Sequence, residues 1–191
     1  TVRVSRSGDV ENKGIIKATV ARLESAGGNV YALAGNTDGA IRVSSATREG
    51  GRVLLRAAGR VEINSRIDAS GEAGDGGHIV AEGAYVALGA QARIDARGAE
   101  DGGTVNLGGG WQGGDPDIRN AETLLVASGA EISVDGAAGN GGEAVLWADG
   151  RTDFAGHVNA RGDNTGQGGR VEVSGKKTLS FAGTVDTGGG T

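Results

Sequence analysis

Cysteine is absent from the 191 residues. That excludes disulfide staples, thiolate chemistry and cysteine-ligated zinc. It is also compatible with a chain threaded unfolded through a narrow export pore, where a premature disulfide would block passage. Proline occurs once, at Pro116, so collagen-like and polyproline readings fail. Aromatic residues make up only 3%, so a core must be narrow and filled by small and β-branched side chains. No apolar run reaches the roughly 18 residues that a membrane-spanning helix requires. No signal segment is visible at the start, and no membrane insertion is expected. Charge of one sign is not concentrated anywhere: the net charge is −5, with acids and bases interspersed. A phosphate backbone would find no basic patch, so nucleic acid is not an expected partner.

Glycine is abundant, at 39 positions, while the hydrophobic fraction is 37%. The second figure decides against disorder, because enough Val, Ile, Leu and Ala remain to build a core. Glycine this dense rules out helices. Gly-Gly doublets begin at positions 27, 50, 76, 102, 141 and 168, so the steps are 23, 26, 26, 39 and 27 residues. Periods of this size mark a solenoid, and the long step marks an insertion.

Two residues after each doublet stand Val30, Val53, Ile79, Val105, Ala144 and Val171. Four residues after stand Ala32, Leu55, Ala81, Leu107, Leu146 and Val173. An apolar residue at every second position is a strand with one buried face. A second block holds Val61 and Ile63, Val86 and Leu88, Leu124 and Val126, Phe154, then Leu179 and Phe181. A third holds Ile67, Ile94, Val134, Val158 and Val185, each followed by Asp68, Asp95, Asp135, Asn159 and Asp186. Three short strands per repeat predict an all-β fold, a parallel β-helix of about seven coils stacked at about 4.8 Å. Glycines are expected where the chain turns with φ above zero. An antiparallel barrel or sandwich is the alternative, but its hairpins would not demand the same residue type at the same place in each repeat.

The stretches 12–18 (NKGIIKA), 50–71, 113–162 and 168–187 resemble the mature region of two-partner-secretion exoproteins, the filamentous-haemagglutinin-like adhesins. The resemblance is strongest between Gly102 and Thr187. It implies a right-handed parallel β-helix exported by an outer-membrane barrel transporter and displayed or released outside the bacterium. It implies a structural or adhesive stalk rather than an enzyme, with host-cell glycans or surface receptors as partners. The secretion domain that such a transporter recognises is not evident in these residues. The chain is therefore expected to be a single β-helical segment, 1–191, of a longer exoprotein, with a loop insertion at 108–121.

Three groups of residues are candidate sites. Trp111, Gln112, Asp115 and Asp117 lie in the insertion, with Trp147 nearby in sequence pattern, and suit a carbohydrate or receptor: an aromatic ring stacks on a sugar while the polar groups bind its hydroxyls. The packing alternative folds Trp111 back against the coil. Arg161, Gly162 and Asp163 form an integrin-type tripeptide, although Ala96-Arg97-Gly98-Ala99 shows that such turns are ordinary in this chain. Asp68, Asp95, Asp135 and Asp186 would form a column open to calcium. The simpler expectation is that Arg66 and Arg93 neutralise that column. No cofactor is expected. The acids with Arg66, Arg93 and Arg97 also imitate a polysaccharide-active site, yet their regularity argues for repetition, and His78 and His157 fall in different strand columns. Open coil ends predict end-to-end self-association.

Overall fold

The structure is a computed structural model describing residues 1–13, 15–33, 40–43 and 51–190, with side chains throughout except at 33 and 40–43. Each turn of chain lays down three strands. The first coil holds β1 (Val2–Arg6), β2 (Val10–Asn12) and β3 (Ile15–Ala18). The second holds β4 (Val20–Ser25), β5 (Val30–Leu33) and β6 (Ala40–Val43). The third holds β7 (Arg52–Ala57), β8 (Arg60–Asn64) and β9 (Arg66–Asp68), and the fourth β10 (His78–Glu82), β11 (Tyr85–Leu88) and β12 (Arg93–Asp95). The fifth holds β13 (Thr104–Leu107), β14 (Thr123–Val126) and β15 (Glu131–Ser133). The sixth holds β16 (Glu143–Ala148), β17 (Arg151–Phe154) and β18 (His157–Asn159), and the seventh β19 (Arg170–Gly175), β20 (Thr178–Phe181) and β21 (Thr184–Asp186). First strands pair only with first strands, second with second and third with third, giving three parallel seven-stranded sheets. This is a parallel β-helix of seven coils.

The core is the interior of the coil. Val53, Ile79, Val105 and Ala144 stack inside the first sheet, Val61, Val86 and Leu124 inside the second, and Ile67, Ile94, Ile132 and Val158 inside the third. All of these are buried. Each of the Val, Leu and Ile side chains contributes about 1.5–3 kcal/mol on burial, and apolar stacks on apolar because every coil repeats the pattern. Phe154 and Phe181 extend one ladder as a tilted ring pair, centroids 5.0 Å apart. The inward Thr152 keeps its hydroxyl satisfied by donating to the Ser174 carbonyl at 2.7 Å.

Three expectations from the sequence are corrected. The doublet Gly27-Gly28 lies between β4 and β5 rather than before a first-sheet strand. Ala21 and Leu23, not Val30 and Ala32, therefore stack on Val53 and Leu55, while Val30 and Ala32 stack on Val61 and Ile63 in the second sheet. In the third sheet Ile132, not Val134, pairs with Ile94 and Val158. A two-residue slip keeps the same side chains facing inward, so alternation alone does not expose it. Finally, the described doublet glycines do not have positive φ; among the described residues that conformation falls at Gly108, Gly109, Gln112, Gly113 and Gly129. A Cβ on Gly77, Gly103, Gly142 or Gly169 would instead lie 2.0–2.1 Å from a carbonyl oxygen of the preceding coil. Close stacking, not turn geometry, demands glycine there. Gly50 lies outside the described residues.

Candidate functional site

The long step in the repeat is the segment 108–122, which leaves β13 and returns to β14 across the outer face of the first sheet. At its start Trp111–Gly113 forms a single 3-10 turn. The Gln112 backbone N–H donates to Glu172 Oε2 in the seventh coil at 2.7 Å. Trp111 is 39% exposed, and the Arg170 guanidinium sits over its ring at 4.9 Å. Arg170 also pairs with Glu143. At the other end, Arg119 Nη1 donates to the Ala58 carbonyl in the third coil at 3.1 Å. The loop thus reaches from the third coil to the seventh.

Trp147 lies beneath it. The indole is 9% exposed, and its Nε1 donates to Asp149 Oδ1 at 3.0 Å. Gly113, at φ 64°, passes so close that a Cβ would come 2.5 Å from the ring. Asn120 Nδ2 ties the loop down by donating to the Gly113 carbonyl at 2.9 Å and to Asp149 Oδ1 at 3.3 Å. Further along, the Asp117 N–H donates to Asp115 Oδ1 at 2.9 Å, closing a local turn. Asp117, Pro116 and Arg119 face Arg56 and Glu82. Glu82, 2% exposed, accepts two bonds from Arg56, at 2.9 and 2.8 Å. Bidentate pairing of this kind is what makes a buried carboxylate tolerable.

The five predicted ligand residues are therefore not brought into one pocket. Trp111 and Gln112 stand together over the seventh coil, Asp117 faces the third and fourth, and Trp147 is covered.

The acid column is an ion ladder. Arg66 Nη2 bridges Asp68 and Asp95, at 3.0 and 2.7 Å. Arg97 closes on Asp95 at 2.6 Å, and Arg161 on Asp135 at 3.1 Å. Arg93 is turned away, to Glu131 at 3.2 Å and the Gly129 carbonyl at 2.8 Å. Arg97 and Arg161, at the following corner, do the work expected of it. The register explains this: Asp95 sits beside Ser133, so Asp135 falls one corner on, level with Arg97 and Arg161. Burial would raise the Asp68 carboxyl, but the Ser70 hydroxyl and N–H together with Arg66 outweigh it, and its pKa lies below the usual range. Burial would likewise raise the Asp135 carboxyl, but the hydrogen bonds from Arg161 and Ser133 outweigh it, and its pKa lies below the usual range. Asp186 lies 4.0 Å from Arg161. Among the described residues no three His, Asp or Glu side chains gather closely enough to hold a metal ion.

In the integrin-type tripeptide, Arg161 is held by Asp135, and the Asp163 carboxylate accepts from the N–H groups of Thr165 and Gly166 and from the Thr165 hydroxyl. Those bonds, the Thr165 N–H foremost, lower its pKa. His78 lies on the first sheet and His157 on the third, where its Nδ1 meets the Thr184 hydroxyl at 2.6 Å.

One feature went unread in the sequence. Between the inward residues of the first sheet stand outward apolar ones, Leu54, Val80 and Val145, in register with Asn106. The signal was present as unbroken apolar runs, Val53-Leu54-Leu55 and Ala144-Val145-Leu146, which mark a strand whose outer face is apolar as well as its inner one.

No protein-family model matches the sequence, and no curated protein matches it. Among solved structures, the HMW1 secretion domain from Haemophilus influenzae superposes with a TM-score of 0.65 at 25% identity. The match covers 98% of this chain and 49% of that one, so the chain spans about half the length of the solved domain. No helix among the described residues is long and apolar enough to cross a membrane.

Proposed function

We propose that this chain is a structural and adhesive stalk segment of a secreted, surface-displayed adhesin of the two-partner-secretion kind. The observation that carries the reading is the unbroken register of three seven-stranded parallel sheets, superposable over 98% of the chain on a secretion domain. Such a rod is a hydrogen-bonded ladder that holds loops away from a surface. The likeness also favours an outer-membrane barrel transporter as the export partner. It bears on the expectation that the transporter-recognised part lies elsewhere, because the neighbour is itself a secretion domain. Host-cell glycans or receptors are the proposed adhesive partners.

A second reading, a binding module acting through the loop, is favoured by Trp111: it is exposed, yet fixed by Arg170 and by the Gln112 anchor. Calcium at the acid column and integrin contact through Arg161-Gly162-Asp163 remain weaker proposals, since arginines and turn N–H groups already occupy those carboxylates.

The test is adhesion of beads coated with the folded 191-residue segment to epithelial cells, beside Trp111→Ala and Asp163→Glu. Adhesion retained by both variants supports a role spread along the rod. Loss with Trp111→Ala alone assigns binding to the loop. No adhesion by folded wild type removes the adhesive part and leaves a spacer. Release of reducing ends from acidic polysaccharides would instead require an enzyme.

A further inference from the structure

The outer face of the first sheet is only half covered. Leu54, Val80, Asn106 and Val145 stand in one outward column. Val145 is fully buried, and Ile118 of the loop lines the same groove as Asn106. Val20, Leu54, Val80 and Ile118 remain half-buried, lining this open groove of about 590 Å³. That volume is in the range of small-ligand sites.

The rim is cationic. Arg22, Arg52 and His78 line the groove, and no carboxylate is among the described residues that line it, in a protein of net charge −5. Among the described residues Arg22 pairs with Glu24 alone, at 3.9 Å, an acid that also pairs with Arg3 at 3.2 Å. Arg52 and His78 each keep an interaction within the chain. The floor ends at Asn106, which is 7% exposed and whose carboxamide makes no hydrogen bond to the described residues. Its carboxamide opens into the groove, where it can both donate and accept.

We propose that this groove binds an acidic sugar. The pyranose C–H face would lie on Leu54, Val80 and Ile118, its hydroxyls would pair with the Asn106 amide, and its anionic group would face Arg22 and Arg52. Peptide is disfavoured, because the backbone of these strands is paired on both sides and offers no edge for strand addition. The site is separate from the Trp111 end of the loop and does not depend on the adhesin reading.

The test is calorimetric titration of the folded segment with a hexuronate-containing disaccharide, a sulfated disaccharide and the unsubstituted disaccharide. Saturable binding of an acidic probe is expected, with little for the neutral one. Asn106→Leu, which extends the neighbouring apolar column, should weaken it about tenfold by leaving the hydroxyls unpaired. Arg22→Gln, an exposed change that leaves the fold intact, should weaken it about threefold. Trp111→Ala should leave it unchanged. The proposal is overturned if neither acidic sugar binds folded protein saturably, if the neutral sugar binds equally, or if both groove variants bind as wild type. Saturable binding without bead adhesion keeps the groove and removes the adhesive role. Adhesion without sugar binding does the reverse.

Discussion

At the residue scale, glycine decides how closely the coils approach. In Gly103 an added Cβ would lie 2.1 Å from the Gly77 carbonyl oxygen and 2.6 Å from the Gly76 carbonyl carbon. These are backbone atoms of the adjacent coil and cannot turn aside. Gly103→Ala should therefore destabilise the fold by about 3 kcal/mol, the upper end of overpacking effects. Gly8→Ala is the control, because nothing lies within 4 Å of its Cβ position, and a surface change of that kind stays within about 0.5 kcal/mol. Urea melts of the two variants check the contrast; equal midpoints would show that the coils can separate locally at little cost. The doublets were the clearest mark in the sequence, but their physical reason was not legible, since composition does not separate a tight approach from a left-handed turn.

At the element scale, alternation made most strands legible. Ile67, Ile94, Val158 and Val185 could be aligned from their neighbours alone, and the structure stacks them. What failed was phase. Val134 and Ile132 are both buried, so the period-two pattern accepts either as the ladder residue. The site was less legible still. Trp111 and Trp147 are both aromatics near the insertion, and only the return path of the loop shows that one is exposed and the other is the floor on which Gly113 rests. Trp147→Ala removes that floor and leaves the Asp149 carboxylate without the indole N–H. The expected loss is about 3 kcal/mol, with faster amide exchange at residues 108–122. Wild-type exchange in the loop after this substitution would mean that Arg119, Asn120 and Gln112 suffice to hold it.

At the scale of the whole molecule, the two ends differ from the middle. Leu179, Phe181 and Val185 are exposed on the last coil, and Val4 and Ile15 on the first. Each end also presents strands paired on one side only. Such edges template further pairing, and a head-to-tail contact does not close on itself. Sedimentation velocity should show concentration-dependent growth of the segment, reduced in Phe181→Ser. A single monomeric species across a hundredfold concentration range would rule this association out.

The loop contacts on Ala58 and Glu172 also set how the rod yields to force. A plain stack of coils, pulled from its termini, would unroll one turn at a time, each releasing up to about 90 Å of chain for the 26-residue repeat. The strap from the third coil to the seventh joins those turns in parallel. The coils it spans should give way together, in one long extension at higher load, while the first two unwind in short steps beforehand.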